Sequence, residues 1–165
     1  MTFLGHKKIM VGGAAILLFL CNNAFATEGG FNCKPKHLSS ANDVPSVLIN
    51  NIGGIYWQGT SKSMDFYCAS VNSGYRVTHT SRFTVADFNS SKPVTCYMAR
   101  IQQSSSPFGI NVYVGSVKST KTTKSGINFL SLSDTGTQQS LHWNLYCNLP
   151  ERTGSSGSGI LYTRP

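Results

Sequence analysis

Ser140–Leu149, SLHWNLYCNL, is the stretch on which the reading of the fold turns. Leu141, Trp143, Leu145, Cys147 and Leu149 share one parity, and His142, Asn144, Tyr146 and Asn148 share the other. That is the period-two pattern of a strand with one face in a core and one in water. Trp and Cys on the inward parity predict a central strand, because Trp buries a large apolar area and a buried Cys in an oxidised protein marks a bridge to another strand.

Other segments repeat the pattern. Met64–Ser70 places Met64, Phe66 and Cys68 on one face, and Val94–Ile101 runs around Cys96. Ile110–Val117 alternates Ile110, Val112 and Val114 against Asn111 and Tyr113, and a hairpin with the preceding strand is the simplest arrangement. Shorter strands are expected at Val47–Asn51, Ile55–Trp57, Ile127–Leu132 and Ile160–Thr163. Asn72-Ser73-Gly74 predicts a hairpin turn returning through Tyr75–His79, with Arg82–Val85 continuing after a kink. Asp87–Pro93 and Gln102–Pro107 read as polar connections, and Thr153–Gly159 as a flexible Gly/Ser loop. Lys118, Lys121 and Lys124 are placed where charge would guard a sheet edge.

No segment beyond the N-terminus carries a sustained helical stripe, and no repeat of fixed period appears. The expected fold is therefore all-β, an antiparallel two-sheet sandwich of jelly-roll-like form with eight to ten strands and two disulfides.

The N-terminus reads as a signal peptide over residues 1–26. Lys7 and Lys8 precede an apolar run from Ile9 to Leu20, and Ala24-Phe25-Ala26 is a small-x-small cleavage site. The run is about 12 residues, short of the roughly 20 that a spanning helix needs, so no transmembrane segment is expected after cleavage. Cys21 raises the rival of an acylated lipoprotein, but Leu20 is bulky where such signals want a small residue. Residues 27–165 then form a single secreted or periplasmic domain.

Cleavage also removes Cys21 from the five cysteines and leaves Cys33, Cys68, Cys96 and Cys147, an even set suited to an oxidising compartment. Cys96 and Cys147 lie mid-strand in the best-patterned strands, while Cys33 sits in an irregular Thr27–Pro45 arm that can reach Cys68. The expected pairs are Cys33–Cys68 and Cys96–Cys147. The alternative sends the arm to Cys96 or Cys147.

The chain is basic, with 14 Lys and Arg against 6 Asp and Glu. That balance favours encounter with anionic surfaces. The charges are spread along the chain rather than gathered at a site, and a nucleic-acid partner is not expected.

Catalytic and metal-binding patterns do not stand out. His37, His79 and His142 lack a second ligand at metal spacing. The cysteines are explained as bridges, and Gly154-Ser155-Ser156-Gly157 has neither the G-x-S-x-G elbow nor a phosphate-loop ending. Asp65, Asp87, Asp134 and Glu151 are scattered, and Asn89-Ser90-Ser91, a match to the glycosylation acceptor pattern, reads as a loop. No cofactor is expected.

Aromatic residues remain: Tyr56, Trp57, Tyr67, Tyr97, Tyr113, Tyr146 and Tyr162. Beside polar groups they offer binding platforms, although strand aromatics also pack across strands as ordinary β-formers. The candidate binding residues are His142, Asn144 and Tyr146 on the polar face of the organising strand, with Tyr56 and Trp57. The expected function is an exported non-enzymatic binding or interaction module whose ligand is a glycan, an anionic envelope component or a protein. The alternatives are an envelope-polymer hydrolase with a dispersed site, requiring a cleft that brings His79 or His142 to a carboxylate or hydroxyl, and a structural or inhibitor subunit of an envelope assembly.

Overall fold

A computed structural model describes residues 28–29, 33–36, 46–51, 53–72 and 77–164. The signal peptide, His37 and the expected turn at Ser73-Gly74 lie outside the described residues.

The strands are β1 (Glu28–Gly29), β2 (Lys34–Pro35), β3 (Val47–Ile49), β4 (Ile55–Trp57), β5 (Met64–Asn72), β6 (Thr78–Asp87), β7 (Thr95–Ser106), β8 (Gly109–Lys121), β9 (Gly126–Thr135), β10 (Ser140–Leu149) and β11 (Gly159–Arg164). They form two antiparallel sheets. The first has the order β3-β4-β11-β6-β9, with β1 also pairing β11, and the second has the order β2-β5-β10-β7-β8. The strands from β4 onward cross from sheet to sheet at every connection except β7–β8, which gives the jelly-roll form of the sandwich.

This crossing corrects one expectation. β5 and β6 do not form a hairpin: β5 pairs with β10 and β2, whereas β6 pairs with β9 and β11 in the other sheet. Both strands have an inward apolar face, and the sandwich satisfies both by placing them in opposite layers. β6 also runs unbroken from Thr78 to Asp87, without a kink before Arg82.

The inward parities meet between the sheets. Trp57, Phe83, Val85, Leu130, Leu132 and Ile160 from the first sheet pack with Phe66, Met98, Trp143, Leu145 and Leu149 from the second. β10 is the central strand of its sheet and buries every second residue from Trp143 to Leu149. The cysteines pair as Cys33–Cys68 and Cys96–Cys147. Cys96 and Cys147 are direct cross-strand partners, so that bridge ties β7 to β10 inside one sheet, while Cys33 pins the N-terminal segment to β5.

Two connections differ from the sequence reading. Gln102–Ser106 is not a turn but the outer half of β7, paired with Gly109–Tyr113 as far as a tight turn at Pro107-Phe108. Gly109 closes that turn at φ 127°, a conformation that favours glycine. This part of the hairpin has few core-facing side chains, so β7 can be polar there, and Ile110, Val112 and Val114 of β8 alternate without reaching the core. β8 is the sheet edge, and Lys118 and Lys121 stand exposed on it.

The Gly/Ser loop is pinned at its inner end. The Ser158 carbonyl accepts from the Trp57 amide at 2.9 Å, and its hydroxyl accepts from the Phe88 amide and donates to Asp87. A Cβ on Gly157 would lie 1.8 Å from the Trp57 carbonyl oxygen, so glycine permits this close approach.

Candidate functional site: the outer face of the second sheet

The face of β10 directed away from the core carries His142, Asn144, Tyr146 and Asn148, all half-buried. Strand register decides what stands beside them. Tyr146 lies opposite Tyr67 of β5 on one side and Tyr97 of β7 on the other. The three rings form one row across the sheet. Tyr97 and Tyr146 stack at 4.7 Å between centroids with planes 10° apart, and Tyr67 meets Tyr146 at 5.8 Å in a tilted contact. Next to Tyr97 on the far flank is Ser119 of β8, exposed and too short to cover a ring. The row thus ends on an aromatic side chain with only a small neighbour.

Polar groups border the row. Asn148 donates to Asp65 Oδ1 at 2.7 Å, and Lys36 lies 3.9 Å from the Asp65 carboxylate and 6.0 Å above the Tyr67 ring. On the other border Asn144 is flanked by the small side chains of Ser70 and Ala99, and His142 has the bulkier Ile101 beside it. Burial, with the neighbouring Tyr97, Asp65 and Tyr67 adding to it, raises the Tyr146 pKa. The hydroxyl therefore remains protonated, a donor as well as an acceptor, at neutral pH.

Of the five residues nominated from sequence, His142, Asn144 and Tyr146 share this face, and Tyr56 and Trp57 do not. Both lie on β4 in the opposite sheet. Tyr56 is half-buried, its hydroxyl receives Asn50 Nδ2 at 3.4 Å, and it lines a groove with Leu48, Gln58 and Phe88. Trp57 is 1% exposed and its indole N–H donates to the Lys62 carbonyl at 2.8 Å. It is a core residue and offers no binding surface, as adjacent strand positions must point to opposite sides. Tyr67 and Tyr97 complete the row instead. Their signal in the sequence was parity, each sitting between inward residues (Phe66 and Cys68, Cys96 and Met98), but their meeting depends on register.

Of the groups suited to acid–base chemistry, His79, Asp87 and Asp134 are engaged in structure, whereas His142 stands half-buried on the outer face. His79 stacks on Trp143 at 5.0 Å and its Nε2 is 3.0 Å from Ser81 Oγ, and burial lowers its pKa. Ser81 is fully buried, with its hydroxyl directed at the Met98 sulfur, so it is closed to a substrate. Asp87 is buried and accepts from the Asn89 and Val94 amides and the Thr122 and Ser158 hydroxyls. Asp134 accepts from Ser116, Trp143 and Arg100. Asn89 is itself buried: its Oδ1 accepts from the Ser91 and Lys92 amides and its Nδ2 donates to the Glu151 carbonyl, which makes it a loop-closing residue. Among the described residues no three His, Cys, Asp or Glu side chains gather in a metal-binding cluster, and no helix is long and apolar enough to cross a membrane.

No protein-family model and no curated protein sequence matches the chain. Solved structures similar to it include the enzymatically active domain of bacteriophage CBA120 tailspike protein 4, with a TM-score of 0.46 and 12% identity over 71% of this chain. This chain spans only 16% of the length of that one. A second is the carbohydrate-binding module CBM6cm-2 from Cellvibrio mixtus lichenase 5A in complex with cellotriose, with a TM-score of 0.42 and 9% identity, covering 85% of this chain and 95% of that one. At such identities and TM-scores neither likeness says what this chain binds.

Proposed function

We propose that this chain is an exported, non-enzymatic binding module that takes a glycan on the outer face of its second sheet. The observation that carries this reading is the Tyr67–Tyr146–Tyr97 row, held in register across three strands and bordered by Asn144, Asn148 and Asp65. Sugar rings present apolar C–H faces and equatorial hydroxyls, and a rigid aromatic row beside amide and carboxylate groups matches both at little cost in conformational entropy. The two disulfides fit an oxidising compartment. The non-enzymatic side is supported by the engagement of His79, Ser81, Asp87 and Asp134 in buried contacts, which leaves them poorly placed to meet a polymer.

A glycan array probed with residues 27–165 tests the reading, followed by calorimetric titration of the best binder. Tyr97→Ala removes the ring at the open end of the row and is expected to weaken binding by up to about tenfold, the effect of losing an aromatic contact of about 0.5–1.5 kcal/mol. Silence on the array, or binding that Tyr97→Ala and Tyr146→Ala leave unchanged while the fold is intact by circular dichroism, overturns it.

A further inference from the structure

The outer face of the first sheet carries a second feature, remote from the tyrosine row. A groove of about 510 Å³ runs over β11, β6 and β9 and is lined by Arg82, Thr84, Phe129, Ser131, Tyr162 and Arg164, among others. Its form follows from register. Thr84 of β6 has Phe129 of β9 on one side and Tyr162 of β11 on the other. Thr84 points away from the core yet is only 5% exposed, because the two rings rise on either side of it, while Phe129 itself is 78% exposed. Ile127, on the same face of β9, is 55% exposed and Tyr162 39%, so apolar surface is gathered on this face rather than scattered singly.

The walls stand two strand spacings apart, about 9.6 Å at the backbone. Two van der Waals contacts of about 4 Å each take up most of that width, so the groove accepts one six-membered ring with both faces covered. One step along the strand from Thr84, about 6.8 Å away, is Arg82. It is exposed, makes no ion pair among the described residues, and is flanked by Ser131 and by Arg164. Arg164 is already engaged by its own neighbours, but its charge still adds to the field. Arg82 and Arg164 are direct cross-strand partners, an arrangement of like charges that disfavours the sheet and that an anion lying between them relieves.

We infer that this groove is a binding site for a carboxylated sugar, with the pyranose ring held between Phe129 and Tyr162 over Thr84 and its carboxylate received by Arg82. The planar guanidinium matches a carboxylate in bidentate fashion, and the basic character of the whole chain draws an acidic polymer toward it. The site is on the sheet opposite the tyrosine row and does not depend on it.

The test is titration of residues 27–165 with a short oligogalacturonate, alongside a sulfated heparin-derived oligosaccharide and a neutral cello-oligosaccharide, at low and physiological salt. Oligogalacturonate is expected to bind with chemical-shift changes centred on Thr84, Phe129, Ser131 and Tyr162. Arg82→Gln and Phe129→Ala should each weaken it about tenfold, and Lys118→Gln, which removes the same charge from the edge of the other sheet, should leave it unchanged. Array binding that Tyr97→Ala leaves unchanged would overturn the tyrosine row and not this groove, so the two readings fail separately. The inference is overturned if oligogalacturonate does not bind, if the sulfated or neutral sugar binds more tightly in the groove, or if the two groove variants bind as the wild type does with their fold intact.

Discussion

Replacing Asp134 by Ala should be among the most damaging single changes in this domain. Asp134 lies on β9 of the first sheet and is 8% exposed, yet its side-chain partners among the described residues come from the second sheet: Ser116 of β8 at 2.8 Å, Trp143 of β10 at 3.1 Å and Arg100 of β7 at 3.4 Å. One carboxylate therefore joins the two layers at this end of the sandwich. Its removal leaves the Arg100 guanidinium poorly compensated, although Arg100 also donates to the Thr135 carbonyl, and Arg100 Nε already has no hydrogen-bond partner. Breaking a buried pair from one side costs about 3–5 kcal/mol, and the stranded Trp143 N–H adds about 1 kcal/mol. That is a large part of the roughly 5–15 kcal/mol that holds a domain folded. The measurement is equilibrium urea unfolding followed by tryptophan fluorescence, with a lowered midpoint and an unchanged slope expected. Asp134→Leu combined with Arg100→Met should recover much of the loss, since two well-packed apolar groups can replace a buried pair at little cost. A loss below about 1 kcal/mol for Asp134→Ala, or strict additivity in the double variant, would refute the assignment of a linking role to this carboxylate.

Two further outcomes are expected. The bridges close spans of 51 and 35 residues, for which the chain-entropy model gives about 4 kcal/mol in each case, so any difference between them must arise in the native packing. Paired replacement of Cys96 and Cys147 by Ser should lower the unfolding midpoint of the whole domain, because both are fully buried in adjoining core strands. Replacing Cys33 and Cys68 should chiefly increase amide exchange in the N-terminal segment, and equal global losses from both pairs would contradict this. Burial lowers the His79 pKa below its unfolded value of about 6.5. The unfolded chain then takes up a proton before the folded one does, so the contribution of His79 is fully present above about pH 6.5 and is lost progressively as pH falls toward its folded pKa. His79→Gln should flatten the stability profile over that window, measured by unfolding midpoints from pH 7.5 to 5, and a slope identical to wild type would count against the lowered pKa.

The sequence by itself determined most of the longer strands and, in the clearest of them, the inward face. Alternation is a local property, and in Met64–Asn72 and Ser140–Leu149 the parity of Phe66 and Trp143 is legible without a partner in view, whereas in Gly126–Thr135 the apolar Ile127 and Phe129 oppose Leu130 and Leu132 and the inward face is not. The same parity placed Cys68, Cys96 and Cys147 inward, while Cys33 was read in an irregular arm able to reach Cys68. Local signals failed where a strand leaves the core: Gln103–Ser106 reads as a turn because nothing apolar is needed there, and Trp57 reads as a platform because parity alone does not say which of two adjacent aromatics is buried. Tertiary structure decided which strands are neighbours, since the crossing of β5 to β6 depends on two apolar faces finding each other across the sandwich. Register across those long-range pairings then brought Tyr67 and Tyr97 to Tyr146, set Thr84 between Phe129 and Tyr162, and carried Asp134 to Trp143. None of these meetings is written in the spacing of residues along the chain, because each joins strands whose pairing is fixed only when the core closes.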